Sequence, residues 1–341
     1  MVRWSLNAAN GQVVNAPPFF IVGSGRSGTT LLRMILVSHS RLWIPPETWY
    51  LNQMGDMLDL DRPLVPQEVE RVVQIMTRHY RWPDLELSAD EFRSAVAKMT
   101  SPFLSDIVEW VYLEHLKRSG KRRWGDKTPG YIELVPQLAH LFPGAKFIHV
   151  IRDGRDVAKS FQARRWSGRW LHQNADEWLM AMGYGERWKK SPYAGAFYEV
   201  RYEDLVRDQE REVRRVCELL GEEYEPQMLS WQNDVEKQVP AREAHIHEKL
   251  GRAPSAEDVD RWQREMSARE VFVSEAFMGP HLKAHGYALR FSSPIWTPLL
   301  WLTRWYCLWV LPVASLPHKA IRALRERLFG QLVRPEVGHG P

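Results

Sequence analysis

The chain has 341 residues, 44% hydrophobic and 26% charged, which excludes a wholly disordered or low-complexity polypeptide and suffices for one large α/β domain or two smaller ones. Residues 291–341 carry six Lys or Arg against two acids, so the remaining 40 bases and 40 acids balance and the net charge of +4 resides in the tail. A neutral body argues against nucleic acid as a partner, because a duplex binder presents dense positive charge to phosphates. Two cysteines, Cys217 and Cys307, cannot build a disulfide framework, and no CxxC pair is present for a zinc or redox site. A reducing compartment fits. The first residues hold no apolar run, so no signal peptide is expected.

Pro17–Gly25, PPFFIVGSG, is a short apolar run stopped by glycines, the pattern of a buried strand entering a tight loop. Thr29–Ser38 follows with helical content. The apolar stretch Leu42–Ile44, then Pro45-Pro46, puts Glu47 near a strand's end. Helical spacing predicts helices over 67–80 and 102–118, with Pro63, Pro66 and Pro83 as breakers, and another over 131–142 closed by Pro143-Gly144. KFIHVI (Lys146–Ile151) is a second buried strand, a helix starts in Asp156–Phe161, and Ala196–Leu205 holds a third strand. Leu205–Leu220 predicts one amphipathic helix ended by Gly221. Strands alternating with helices predict an α/β fold, a P-loop-like parallel sheet flanked by helices. Residues 49–123 and 162–195 read as helical insertions. The second is dense in Trp and Arg (Arg164, Arg165, Trp166, Arg169, Trp170, Trp178, Trp188), which suits either a substrate cleft or a packed helical layer.

The loop Gly23-Ser24-Gly25-Arg26-Ser27-Gly28-Thr29-Thr30 has the frame G-x-x-x-x-G-T-T. A P-loop has lysine where Thr29 stands. The frame still curls backbone amides and a helix N-terminus around one anion, and Arg26, Ser27, Thr29 and Thr30 add donors. No acidic magnesium ligand follows the next strand, since KFIHVI runs into Arg152. Arg152 at that strand's carboxyl end and Ser160 on the next helix suit a second phosphate. The alternatives are a tight turn with an incidental arginine, and a salt-bridged RDGRD turn. Two anion sites on two strand ends imply a ligand with two anionic groups and no need of a metal.

GSGRSGTTLLR (Gly23–Arg33) and FIHVIRDGRDVAKS (Phe147–Ser160) together resemble the 5′-phosphosulfate loop and 3′-phosphate motif of sulfotransferases that use 3′-phosphoadenosine-5′-phosphosulfate (PAPS). With Glu47-Thr48 and Lys127-Thr128-Pro129, the likeness is to tyrosylprotein sulfotransferases and related bacterial enzymes. It covers residues 18–48 and 124–220, and more weakly His281–Leu289. The resemblance implies the sulfotransferase fold and PAPS as co-substrate. It implies that Arg26, Ser27, Gly28, Thr29 and Thr30 hold the 5′-phosphosulfate, that Arg152 and Ser160 hold the 3′-phosphate, and that Tyr202 lines the nucleotide site. It implies Glu47 as general base, with Lys127 and Arg26 steadying charge on the transferred group. Among Lys249, Arg252 and Arg261, any could close over the nucleotide. His39 and His149 are rival bases, His149 reading better as a packed wall residue.

The expected activity is in-line transfer of a sulfuryl group from PAPS to an acceptor hydroxyl of a glycan, glycolipid or other alcohol. A P-loop-type small-molecule kinase or NTPase, and a non-catalytic membrane-associated nucleotide-binding protein, are the competing readings. Residues 1–290 read as the sulfotransferase domain and 291–341 as a separate segment. In that segment, 295–316 is apolar and aromatic, yet Arg304, Pro298 and Pro312 interrupt it and its tryptophans suit the headgroup level. His318–Phe329 follows as a basic amphipathic stretch. The expectation is a membrane surface contacted through 295–329, on the inner face of a cytoplasmic membrane. A span, or packing on the domain or on a second subunit as a homodimer, is the alternative.

Overall fold

A computed structural model describes residues 16–54, 60–162, 175–234 and 255–306. Five parallel strands form one sheet: β1 (Phe19–Gly23), β2 (Leu42–Trp43), β3 (Arg123–Lys127), β4 (Lys146–Ile151) and β5 (Phe197–Arg201), in the order β2-β3-β1-β4-β5. Central β1 pairs Ile21 with Lys127 of β3 on one side and Gly23 with Val150 of β4 on the other. All five of its residues are buried, as expected for a strand covered on both faces.

Alternation along β1 divides the core. Phe20 and Val22 join Trp124, Phe147 and Phe142 on one face, where α2 (Pro66–Arg78), α3 (Ala89–Val96), α4 (Leu104–Ser119) and α5 (Val135–Leu141) supply the cover. Phe19 and Ile21 meet α1 (Thr29–Val37) and α9 (Gln209–Leu220) on the other. A third cluster, with Trp178, Trp262, Met278 and Tyr287, joins α6 (Gly154–Gln162), α7 (Asp176–Lys189), α10 (Trp262–Glu265) and α11 (Ala268–Ala284).

Two elements differ from the sequence reading. RWGDK is a strand, β3, although it shows no apolar run; Arg123, Asp126 and Lys127 are all buried within it. The predicted helix over Leu205–Leu220 is two, α8 (Tyr202–Arg207) and α9, because Asp208 leaves the helical region and caps α9 by accepting from Arg211 N. Trp178 and Trp188 of the predicted insertion are core residues. Trp166 and Trp170 lie outside the described residues.

Of the tail, residues 291–306 are described. Helix α12 (Thr297–Trp305) leans on α11, and Trp296 packs edge-on against Phe272 and Phe291. No helix among the described residues is long and apolar enough to cross a membrane. The basic stretch His318–Phe329 lies outside the described residues.

Candidate active site

Because all five strands are parallel, their carboxyl ends meet at one edge, where an open α/β sheet forms its binding crevice. Each motif leaves from that edge. The glycine loop follows β1, Glu47 follows β2, Lys127 ends β3, Arg152 follows β4 and Tyr202 follows β5.

The loop after β1 is folded tightly. Arg26 and Gly28 both adopt positive φ, 67° and 96°. A side chain on Gly28 would place its Cβ 2.4 Å from the Tyr202 ring, so only glycine lets the loop pass. Tyr202 in turn carries the Arg152 guanidinium, 4.2 Å from its ring centre. Arg152 also donates to the Arg26 carbonyl at 3.3 Å, and Arg26 Nε donates to Ser160 Oγ at 3.1 Å. The two expected anion pockets are therefore one continuous surface, built from three strand ends.

Arg152 is fixed from behind. It donates to the Asp258 carbonyl and to Asp156 Oδ2, and its own carbonyl accepts from Trp178 Nε1 at 2.9 Å. Its Nε is buried with no hydrogen-bond partner among the described residues. A buried donor aimed at no protein acceptor fits a phosphate oxygen. Arg155, in the same motif, has a structural task. It is buried between Asp153 and Glu275, at 2.6 and 2.7 Å, and stacks on Trp262. The salt-bridged reading of RDGRD thus holds fully for Arg155, while Arg152 pairs with Asp156 and keeps its Nε without a protein acceptor among the described residues.

The carboxylate of Glu47 is held by three donors, Lys127, Trp49 and Arg81, and the loop that carries it is anchored by Arg33 and Thr48. Arg33, the last residue of the first motif, is buried in α1 and donates to the carbonyls of Ile44 and Pro45, anchoring the loop on which Glu47 sits. Thr48 donates through its amide to Thr128 Oγ1 and through its hydroxyl to Asp126 Oδ2, tying that loop to β3. Lys127 Nζ donates to Glu47 Oε1 at 2.5 Å and to Thr30 Oγ1 at 3.3 Å, so one ammonium joins Glu47 to the glycine loop. Trp49 Nε1 and Arg81 Nη2 donate to Oε2, at 2.7 and 3.2 Å. Burial pushes the Glu47 carboxyl up, but Lys127 and Arg81 outweigh it and hold it below the usual range.

Glu177, at the start of α7, is a second carboxylate at the loop. Its Oε1 accepts from Gly25 N at 2.6 Å. Burial and the charge of Glu47 raise its proton affinity. Neither Arg81 nor Glu177 lies in a motif, and both come from stretches that looked like insertions. His149 is fully buried on β4, bound to Glu199 at 3.2 Å, and burial lowers its proton affinity, as suits a wall residue. His39 is buried with Nε2 on the Glu223 carbonyl. Arg261 pairs with Glu265 at 2.7 Å; Lys249 and Arg252 lie outside the described residues. No cluster among the described residues is arranged to hold a metal ion.

A glycine loop after the first strand, an arginine after the fourth and a carboxylate–lysine pair gather at one edge of the sheet. The chain belongs to the sulfotransferase family, whose model matches residues 17–226. It is 27% identical over 253 residues to an omega-hydroxy-beta-dihydromenaquinone-9 sulfotransferase of Mycobacterium bovis, covering 61% of this chain and 64% of that one. It is 27% identical to a putative protein-tyrosine sulfotransferase of Caenorhabditis briggsae, covering 74% and 75%. An uncharacterized protein of Aquifex aeolicus is 25% identical, over 72% of this chain and 30% of its own length. The chain therefore spans less than two thirds of the length of the first relatives it matches. The sulfotransferase domain of the Synechococcus PCC 7002 olefin synthase shares the fold, with a TM-score of 0.55 at 21% identity over 80% of this chain and 95% of that domain.

Proposed function

We propose that the chain moves the sulfuryl group of PAPS onto the hydroxyl of an acceptor held at a membrane surface. The observation that carries this is the unbroken line of contacts from Ser160 and Arg152 through Arg26 on one side, and from Thr30 through Lys127 to Glu47 on the other. In this reading Arg152 and Ser160 grip the 3′-phosphate and the loop from Arg26 to Thr30 grips the 5′-phosphosulfate. Glu47 takes the acceptor proton, and the new O–S bond forms as the bond from sulfur to the nucleotide phosphate breaks. Charge grows on that phosphate oxygen, where Lys127, Arg26 and the loop amides are the donors on hand; removing one such donor typically costs about 3 kcal/mol of barrier.

The membrane half of the proposal rests on the tail. Ile295, Trp296, Leu299, Trp301, Leu302, Trp305 and Tyr306 are exposed together, Trp301 by 67%. A contiguous aromatic surface of this kind suits the lipid headgroup level, and the basic sequence after it suits anionic lipid. The Mycobacterium bovis relative is named for an omega-hydroxy substrate, which is consistent with a hydrophobic alcohol as acceptor. The chain then works at the inner face of the cytoplasmic membrane.

The test is transfer of labelled sulfuryl from PAPS to alcohols embedded in anionic vesicles, beside soluble glycans and tyrosine peptides. Labelling of the vesicle alcohol supports the reading. Labelling of soluble acceptors alone removes the membrane half, and no labelling with ATP-dependent phosphorylation instead favours a kinase.

A further inference from the structure

The two oxygens of Glu47 are not equivalent. Oε2 accepts two hydrogen bonds, from the Trp49 indole at 2.7 Å and from Arg81 at 3.2 Å. A carboxylate oxygen offers about two lone-pair sites, so these fill Oε2. Oε1 accepts from Lys127, the residue that also reaches Thr30 of the glycine loop. Oε1 is thus the oxygen turned toward the donor loop, and it keeps a site for an acceptor proton.

Trp49 reaches Oε2 from an unusual backbone. Its φ is 58°, in the left-handed region that bulky residues avoid. Its ring passes close to Gly130, where an added Cβ would sit 2.6 Å from Cζ3. Gly130 directly follows the Lys127-Thr128-Pro129 run, so the segment that carries the lysine also seats the indole. Arg81 arrives from the end of α2, braced by Asp84 at 3.5 Å.

We propose that Trp49 and Arg81 are positioning residues, a clamp on Oε2 that leaves Oε1 as the atom that removes the acceptor's proton. The proposal rests on Glu47 being the general base. The proton passes from the acceptor hydroxyl to Oε1, and the freed oxygen pair forms the bond to sulfur. The charged groups facing Glu47 are Lys127 from β3, Arg81 beyond α2 and Glu177 from α7; Glu177 in turn feels Arg26. Of these, Arg81 bonds Oε2, the oxygen opposite the one that Lys127 links to the glycine loop, so its removal weakens the base's preference for the ionised form while the Lys127 link stays.

The test uses the full chain, with PAPS and whichever acceptor the transfer assay finds. Arg81→Gln should move the acid limb of the kcat profile upward by about one pH unit, with the PAPS KM unchanged. Arg81→Lys should restore most of that position. Trp49→Phe deletes the N–H together with the ring edge that meets Gly130, and should lower kcat about tenfold at constant PAPS KM. An unmoved acid limb in Arg81→Gln, or a PAPS KM that rises as far as kcat falls, overturns the clamp. A second readout needs no turnover: the Trp49 indole N–H resonance, identified by its loss in Trp49→Phe, should titrate with Glu47, and its midpoint should rise in Arg81→Gln. If Glu47→Gln transfers as well as the natural chain, the base role falls. The indole midpoint still decides the clamp, its rise supporting the contact and its constancy refuting it.

Discussion

Glu47 is a carboxylate kept ionised inside a protein, and the reason is local. Burial favours its neutral form, yet two cations and an indole N–H reach it. A base already ionised at neutral pH can accept a proton on arrival of the acceptor. Glu47→Gln should therefore lower transfer by roughly 100- to 10,000-fold while the nucleotide's dissociation constant is unchanged, measured by steady-state rates beside calorimetric titration. Asp126, two positions from Thr128 and bonded to Thr48 and Tyr112, is the buried group behind the base. Burial raises it to about 6. A carboxyl raised in the folded state favours folding when protonated, so its contribution is full below about pH 4 and is lost as pH rises through about 6. The natural chain should lose stability against urea over that window relative to Asp126→Asn; parallel curves for the two would contradict the assignment. Glu47, Lys127, Arg26 and Arg152 were legible in the sequence because each sits in a short motif beside glycine or proline. Arg81 and Glu177 were not, since their partners Glu47 and Gly25 lie 34 and 152 positions away.

At the scale of elements, β3 shows what sequence periodicity misses. Its residues, RWGDK, lack the alternation or apolar run of a strand. Three charged side chains are buried there because partners distant in sequence meet them. Arg123 reaches the carbonyls of Pro17 and Leu220 and the carboxylate of Glu222; Asp126 meets Thr48 and Tyr112; Lys127 meets Glu47. A strand stabilised by tertiary pairing leaves no local signature. The buried Arg155 network joins the end of β4 to the C-terminal segment in the same way. Glu275 on α11 accepts from Arg155 and from the amides of Arg290 and Phe291. Beside it, Tyr287 donates to Glu203, which accepts from the Asp153 amide. Arg155→Ala would strand two buried carboxylates and should cost about 3–5 kcal/mol in urea unfolding; a loss below 1 kcal/mol would show that water or repacking replaces the arginine.

The whole molecule combines a parallel sheet whose strand ends gather the site with a tail that carries the positive excess and the exposed aromatic surface. The sheet order required the structure, since β2 has two residues and β3 has no pattern, but the strand–loop–helix units at β1 and β4 were readable from their apolar runs. For the tail, the full chain should co-sediment with anionic vesicles, and Trp301→Glu with Trp305→Glu should reduce binding at least tenfold without altering PAPS affinity, both side chains being exposed. Equal binding by the variant, or concentration-dependent dimerisation that those substitutions abolish, would reassign the surface to a protein contact. The claim beneath all of this is that Arg152 and Arg26 share one nucleotide. Calorimetric titration of the natural chain and Arg152→Ala with PAPS and with adenosine 5′-phosphosulfate, which lacks the 3′-phosphate, tests it directly. The natural chain should prefer PAPS by at least tenfold, and the variant should lose that preference while binding the smaller nucleotide unchanged. Equal affinity of the natural chain for the two, or an equal loss for both in the variant, would contradict it.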